Sequence, residues 1–296
     1  MSDLDLAEQL NNVGMQLSAG GDISGAEASY RAAIAAAPEW SAPVYNLGLL
    51  YKYQGLWQES LIHNQRAAFL APDDEASWWN LGIAATALGD WSEARRAWTA
   101  CGIEVPPGDG PPEFDWGSTP IRLDPNGQPE VVWARRLDPA RASIVSVPLP
   151  TSPFHWGDLV LTDGAEEGQR LVDGQVYSVF NVLELIEPSG FRTFVIELAT
   201  THPEALAALE TCANDQGGAA EDWGSSTSIL CADCSLGMPH EHEPETSTPA
   251  HPHWGLAARD LNHAKEIITA WLAQTPGADL TEWYEAPSTS PDERCN

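Results

Sequence analysis

The amino-acid sequence predicts a multidomain α plus α+β chain: an N-terminal α-solenoid of three helical hairpins, a small β-barrel-like region, and a C-terminal region of order βαββαβ. Three observations predict it. A three-residue phrase returns at an unvarying step of 34 residues as Asn12-Val13-Gly14, Asn46-Leu47-Gly48 and Asn80-Leu81-Gly82. Beyond residue 113 the apolar period changes to two, in short runs separated by turn residues. From residue 191 onward strand-like and helix-like segments alternate.

The repeat occupies residues 4–106. Gly21, Gly55 and Gly89 recur at the same step, as do Pro38, Pro72 and Pro106. Each of these glycines stands where a left-handed backbone between two helices is least unfavourable, and each proline ends the second helix. Small residues at Gly14, Gly48 and Gly82, facing Ala26, Ser60 and Ala94, are expected to let the two helices of a repeat approach closely. Ala33, Ala67 and Cys101 form a further small column. A lone hairpin cannot bury its apolar face, so the three must stack into a short superhelix with a concave and a convex side.

On these residues the segment resembles the tetratricopeptide repeat (TPR) family, whose pattern runs through a large residue, Leu-Gly, an aromatic, small residues on the second helix and a proline. The resemblance implies a protein-interaction scaffold that holds an extended peptide in the concave groove. It places Asn12, Asn46 and Asn80 in a ladder along that groove, with Met15, Leu49 and Ile83 three residues on and Tyr45 and Trp79 one residue before. An amide donates to and accepts from a peptide backbone whatever the peptide's side chains. The family's clamp for acidic C-terminal peptides also uses Lys and Arg. Here the matching positions hold Asn11, Met15, Ala76 and Asn80, so an apolar or mildly basic ligand is expected in place of a chaperone tail. Most of the 13 tryptophans, such as Trp78 and Trp98, fall where the family packs large residues.

After the third hairpin, residues 107–112 form a linker, because four prolines and two glycines between Val105 and Pro112 cannot continue a helix. No polar capping helix follows, so a later part of the chain is expected to pack on Trp91 to Trp98. Residues 113–190 carry strand-like runs at Val131–Ala134, Ser143–Val147, Asp158–Leu161 and Gln175–Val179. Turn signals separate them at Asp138-Pro139, Asp163-Gly164 and Asp173-Gly174. The spacing suggests a small barrel and does not separate an oligonucleotide-fold barrel from an SH3-like one. Arg135, Arg136 and Arg141 cluster here, and in so acidic a chain internal ion pairing accounts for them better than an anion site.

Residues 191–286 read as strand Thr193–Leu198, helix Pro203–Cys212, strand Ser225–Cys231, a long polar loop, strand Trp254–Ala258, helix Leu261–Ala273 and strand Leu280–Tyr284. That order is the split βαβ arrangement of ferredoxin-like folds.

The loop, residues 231–253, carries the strongest chemical signal. Cys231 and Cys234 are followed by His240 and His242, then by His251 and His253. Two thiolates and two imidazoles are the donor set zinc prefers, and the two-residue gap lets both sulfurs reach one tetrahedral ion. The reading is a structural zinc on Cys231, Cys234, His240 and His242, with His251 and His253 as the reserve pair. The alternative is a metal-handling protein or metal-dependent enzyme with its site on this loop. An acidic, ion-free loop is the plain competitor, since His-x-His is not a familiar finger spacing. No Gly-rich phosphate loop, Gly-x-Ser-x-Gly or His-Glu-x-x-His occurs, so nothing in the sequence makes a positive case for an enzyme.

Composition bounds the rest. A formal charge of -29, spread over all three regions, disfavours nucleic acid and anionic membrane as partners. The first ten residues hold three acids and no apolar run, and no 18-residue apolar stretch is present. The expectation is a cytoplasmic chain without a signal peptide. Five cysteines, an odd number, point to reduced thiols.

Overall fold

The computed structural model describes residues 2–114, 116–172, 174–200, 202–226 and 253–287. The chain divides into two compact units, Met1–Asp115 with Leu137–Arg141, and Trp116–Arg136 with Ala142–Asn296.

The first unit holds six helices: α1 (Asp3–Ala19), α2 (Ile23–Ala36), α3 (Ser41–Lys52), α4 (Trp57–Leu70), α5 (Glu75–Ala87) and α6 (Trp91–Ala100). They pair as α1/α2, α3/α4 and α5/α6, and the first helices of successive repeats also touch, α1 with α3 and α3 with α5. Gly21, Gly55 and Gly89 turn the chain within each hairpin at φ 81°, 67° and 69°, the left-handed region where a Cβ is penalised. Helix starts are capped in the order the sequence allows. Ser2 and Asp5 form a reciprocal capping box, and Asp22, Asp74 and Asp90 each accept a backbone N–H three residues on. Leu56 occupies the same repeat column as Asp22 and Asp90, and α4 has no side-chain cap.

The small columns pack differently from the expectation. Ala26, Ser60 and Ala94 are fully buried. What fills the space over Gly14, Gly48 and Gly82, however, is the residue one turn later, Tyr30, Asn64 and Trp98. A side chain there leans back over the preceding turn, so the larger residue and not the alanine meets the partner helix. Helix α6 ends before Pro106 is reached: Gly102, at φ 77°, breaks it, and Ile103 N–H returns to the Trp98 carbonyl. The Pro-rich stretch is bonded into this unit. Arg95 Nε donates to the Pro106 carbonyl at 3.1 Å and Arg141 Nη2 to the Pro112 carbonyl at 2.9 Å. Arg141 also pairs with buried Asp138 and lies 4.9 Å over the Trp91 ring, so the 137–141 turn covers part of the last hairpin.

The second unit begins with five strands: β1 (Ser118–Leu123), β2 (Glu130–Arg136), β3 (Arg141–Ile144), β4 (Leu159–Val172) and β5 (Gln175–Glu187). They close in the order β1-β2-β3-β4-β5, with β1 meeting β5 in parallel at Ile121↔Phe180. Ile121, Leu123, Val132, Ala134, Ile144, Val160 and Val182 fill the interior. Two sequence readings change here. Strand β1 has no apolar alternation across Ser118-Thr119-Pro120 and was not legible. Asp163-Gly164 does not reverse the chain; it lies inside β4, where the register slips repeatedly and Asp163 Oδ1 accepts the Gly164 N–H at 2.7 Å. In the cluster read as ion pairing, Arg141 takes Asp138, and Arg136 lies 4.7 Å over the Phe180 ring.

There follow β6 (Arg192–Leu198), α7 (Pro203–Asp215), β7 (Ala219–Asp222), a single turn α8 (Trp223–Ser226), β8 (His253–Ala258), α9 (Leu261–Gln274) and β9 (Leu280–Glu285). The sheet order is β7-β8-β6-β9, antiparallel throughout. Of the strand expected at Ser225–Cys231, the start is corrected, since Ser225 lies in α8, and residues 227–231 lie outside the described residues; Ala219–Asp222 pairs with β8. Gly217-Gly218-Ala219-Ala220 is poor strand chemistry by propensity, and cross-strand pairing overrides it.

One face of the sheet packs Phe194, Ile196, Leu198, Trp254 and Leu256 against Leu209 of α7 and Ile267 and Trp271 of α9. Burying such a side chain is worth about 1.5–3 kcal/mol. The other face turns Val195, Ala219 and Ala257 onto Val147, with Leu149 and Trp156 alongside. These three belong to the strap that runs from β3 to β4, so the barrel and the sheet share one seam.

Candidate functional site

The first-helix layer of the repeats carries the residues expected to bind a partner, and the structure distributes them unevenly. Asn12 is exposed, and among the described residues its amide makes no hydrogen bond. Asn46 is half-buried and its Nδ2 donates to Asn11 Oδ1 at 2.8 Å, joining α3 to α1. Asn80 is buried, and its Oδ1 accepts from Lys52 Nζ at 3.0 Å. Lys52 itself is buried, with its ammonium 4.5 Å over the Tyr53 ring. The three asparagines therefore do not form an even ladder.

Among the apolar candidates, Met15 is 51% exposed, whereas Tyr45, Leu49 and Trp79 are half-buried. Ile83 is 0% exposed and belongs to the core, which corrects its place in the groove. The cause is local. Helix α5 is apolar nearly all round, and Leu81, Gly82, Ile83, Ala84, Ala85 and Thr86 are all buried, so the third repeat offers less of its first helix to solvent than the first. Trp79 lies edge-on to Trp98, with ring centroids 5.3 Å apart, and its Nε1 has no partner.

Behind this layer, Tyr51 of α3 donates to Glu27 Oε1 and accepts from Arg31 Nη2, both at 2.8 Å. The hydrogen bond from Tyr51, then that from Arg31, holds the Glu27 carboxyl below the usual carboxylate range. His63 of α4 stacks obliquely on Tyr51 at 5.5 Å with its Nδ1 unpartnered, and burial pushes its pKa down.

Three hairpins at a 34-residue step, each turned by a left-handed glycine and each closing Gly14, Gly48 or Gly82 under a side chain of the second helix, settle the architecture. This is the tetratricopeptide-repeat fold. Within the TPR array the Asn11–Asn46 pair is a polar contact between the first helices of repeats one and two, and it leaves Asn46 Oδ1 unused.

The Cys/His segment gives less. Cys231, Cys234, His240, His242 and His251 lie outside the described residues, and His253 is the first residue of β8, half-buried and opposite Glu197. Among the described residues no group of three His, Cys, Asp or Glu side chains could hold a metal ion. Cys101 and Cys212 are free thiols, and burial pushes the Cys101 thiol up to about 11.

Sequence reasoning missed a polar cleft in the second unit, lined by Glu130, Trp133, Ser146, Arg170, Glu221 and Trp223. Glu130 opens β2 and Glu221 lies on β7, 91 positions later, so no local pattern could join them. Glu221 Oε2 accepts the Val147 N–H at 2.6 Å and Glu130 Oε1 accepts the Leu149 N–H at 3.0 Å. Burial, reinforced by the charge of Glu221, pushes the Glu130 carboxyl up to about 7.

No protein-family model and no curated protein matches the chain. Among solved structures it is similar over part of its length to TPR domains. The second TPR of Spaghetti (RPAP3) bound to HSP90 peptide SRMEEVD is 21% identical, over 32% of this chain and 89% of that one, at a TM-score of 0.32. The Arabidopsis OM64 TPR domain is 15% identical, over 34% and 83%, at 0.32. The TPR2B domain of yeast Sti1 in a pHsp70 complex is 19% identical, over 32% and 76%, at 0.31. No described helix is long and apolar enough to cross a membrane.

Proposed function

We propose that the TPR array is a protein-interaction module that holds an extended peptide segment of a partner along its first-helix layer. The observation that carries this is the unused amide capacity of Asn12 and Asn46 beside exposed Met15 and half-buried Leu49 and Tyr45. A peptide backbone in an extended conformation presents donors and acceptors that need such partners, and its side chains need apolar surface. The positions where a basic clamp would stand hold Asn11, Met15, Ala76 and Asn80, and Lys52 is turned to Asn80. An apolar or mildly basic segment therefore suits this surface better than an acidic tail.

The reading is tested by selecting peptides from a random displayed library on the full chain and repeating the selection with Asn12→Ala/Asn46→Ala. Enrichment of a common sequence by the wild type and its loss with the variant is the expected result. Equal enrichment by both moves the binding surface elsewhere, and no enrichment by either rejects a peptide-binding array.

For the second unit we propose a ferredoxin-like βαββαβ element, which the order β7-β8-β6-β9 supports, fused through its open face to a small barrel. We further propose, from sequence alone, a structural zinc on Cys231, Cys234, His240 and His242, with His251 and His253 in reserve. About one zinc per purified chain, lost in Cys231→Ser, is the expected metal analysis; metal-free wild type rejects it. The free thiols of Cys101 and Cys212 support a reducing compartment, which we take to be the cytoplasm.

A further inference from the structure

In the second and third repeats one face of the first helix is covered by the hairpin before it, α3 by α2 and α5 by α4. Pro43, Leu47 and Leu50 carry that face in α3, and Ser77, Leu81 and Ala84 carry it in α5; all six are buried. Leu47 and Leu50 cluster there with Tyr30, and Ile34 of α2 packs alongside. One repeat earlier the same positions of α1 hold Gln9, Val13 and Gln16, and all three are exposed. Val13 is 44% exposed where Leu47 and Leu81 are 0%. Leu6, also exposed, extends the apolar line toward the start of the helix.

The chemistry of this face is its own complement. Gln9 and Gln16 flank Val13 about one turn to either side. Each amide both donates and accepts, and neither side chain makes a hydrogen bond among the described residues. An identical helix laid antiparallel across Val13 brings Gln9 to Gln16 of the second copy, Gln16 to Gln9, and valine to valine. No charge is buried in that contact. A parallel pairing would set the acidic first turn, Asp3 and Asp5, against itself. Head-to-tail stacking is closed, because the far end of the array is occupied. Arg95 stands in the repeat column of Glu27, the residue that α2 turns to Tyr51, and it donates to the Pro106 carbonyl, while Arg141 covers Trp91.

We propose that the chain forms a two-fold dimer through the open face of α1, the two first helices crossing antiparallel at Val13 with Gln9 and Gln16 paired across the contact.

Asn12 and Met15 lie on an adjoining side of α1, so one such particle carries two of the proposed grooves, although the dimer itself does not depend on peptide binding. The rim of the contact is acidic on both copies, with Asp3, Asp5 and Asp22, in a chain of charge -29. Salt screens that repulsion, so association tightens as salt rises.

Sedimentation velocity of the full chain over about a hundredfold range of concentration, at low and at high salt, tests this. The wild type should move from its chain mass of 32.0 kDa toward twice that value, and at lower concentration in high salt. Val13→Glu sets two carboxylates against each other and should weaken association by about a hundredfold or more, with helix content by circular dichroism unchanged. Two paired substitutions read the register. Gln9→Lys/Gln16→Glu opposes unlike charges only in the antiparallel pair and should keep the dimer. Gln9→Glu/Gln16→Glu opposes like charges and should lose it, so a folding defect in the Val13 variant leaves the other two decisive. A wild type that stays at 32.0 kDa throughout overturns the dimer. A dimer that survives Val13→Glu or Gln9→Glu/Gln16→Glu overturns the α1 contact, and loss of the dimer in Gln9→Lys/Gln16→Glu overturns the antiparallel pairing.

Discussion

Gly14 lies beneath the ring of Tyr30 so closely that a Cβ built on it would stand 2.6 Å from Tyr30 Cε1. The same relation recurs at Gly48, 2.8 Å from Asn64 Nδ2, and at Gly82 beneath Trp98. Each repeat is closed by a glycine on its first helix and a side chain four positions beyond the small residue of its second.

The third of these contacts is the least forgiving, because Trp98 is 0% exposed and its ring has no free direction. Gly82→Ala should therefore destabilise the first unit. Overpacking of about 1–3 kcal/mol opposes a gain of up to about 1 kcal/mol in helix propensity. Urea denaturation followed by circular dichroism at 222 nm would show a lower midpoint; an unchanged or higher one means that the helices part at no cost.

A gain is expected at Leu56. Its backbone, at φ -83° and ψ 71°, nearly matches Asp22 at -82° and 80° and Asp90 at -79° and 77°, both of which cap their helices. Leu56 is 42% exposed, so little packing is lost on replacing it. Leu56→Asp should supply the missing acceptor at the start of α4 and raise stability by about 1 kcal/mol. Thermal unfolding of the two proteins side by side measures it, and a lowered melting temperature would refute the capping argument.

His63 gives the first unit a pH dependence of its own. Burial lowers its pKa first, aided by Arg31 and Arg66 and resisted by Glu27 and Glu59. The fold favours neutral imidazole, so this contribution to stability is present above 6.5, the ordinary histidine value, and is lost as pH falls below it. His63→Leu should shrink the loss of stability of the first unit between pH 7 and pH 5. A profile identical to that of the wild type would show that His63 stays neutral, or charges freely, in both states.

The helical half was legible because its information is local and repeated. Gly21, Gly55 and Gly89 announce their own backbone conformation wherever they stand, and three copies of one error are unlikely. The strands were legible where β-branched residues alternate, as in Val131-Val132-Trp133-Ala134, and illegible where pairing alone makes the strand. Ser118-Thr119-Pro120 becomes β1 because Pro120 faces Trp133 across the ladder, and Ala219–Asp222 becomes β7 because β8 lies beside it. In the candidate groove the column Asn12, Asn46 and Asn80 could be read, but the sequence could not tell that Lys52 would take up Asn80 or that the apolar surround of α5 would sink Ile83 into the core.

The sequence by itself therefore determined the repeat length, the hairpin turns, the change from helix to strand near residue 113 and the acidic character of the whole chain, since each of these rests on the chemistry of a residue and its near neighbours. Only the tertiary structure decided which small residue sits under which ring, which asparagines keep free amide groups, and that Glu130 and Glu221 meet on one strap. Burial and hydrogen bonding depend on what lies within a few ångströms in space, and residues 91 positions apart come to hold one strap only once the barrel and the sheet have closed on each other.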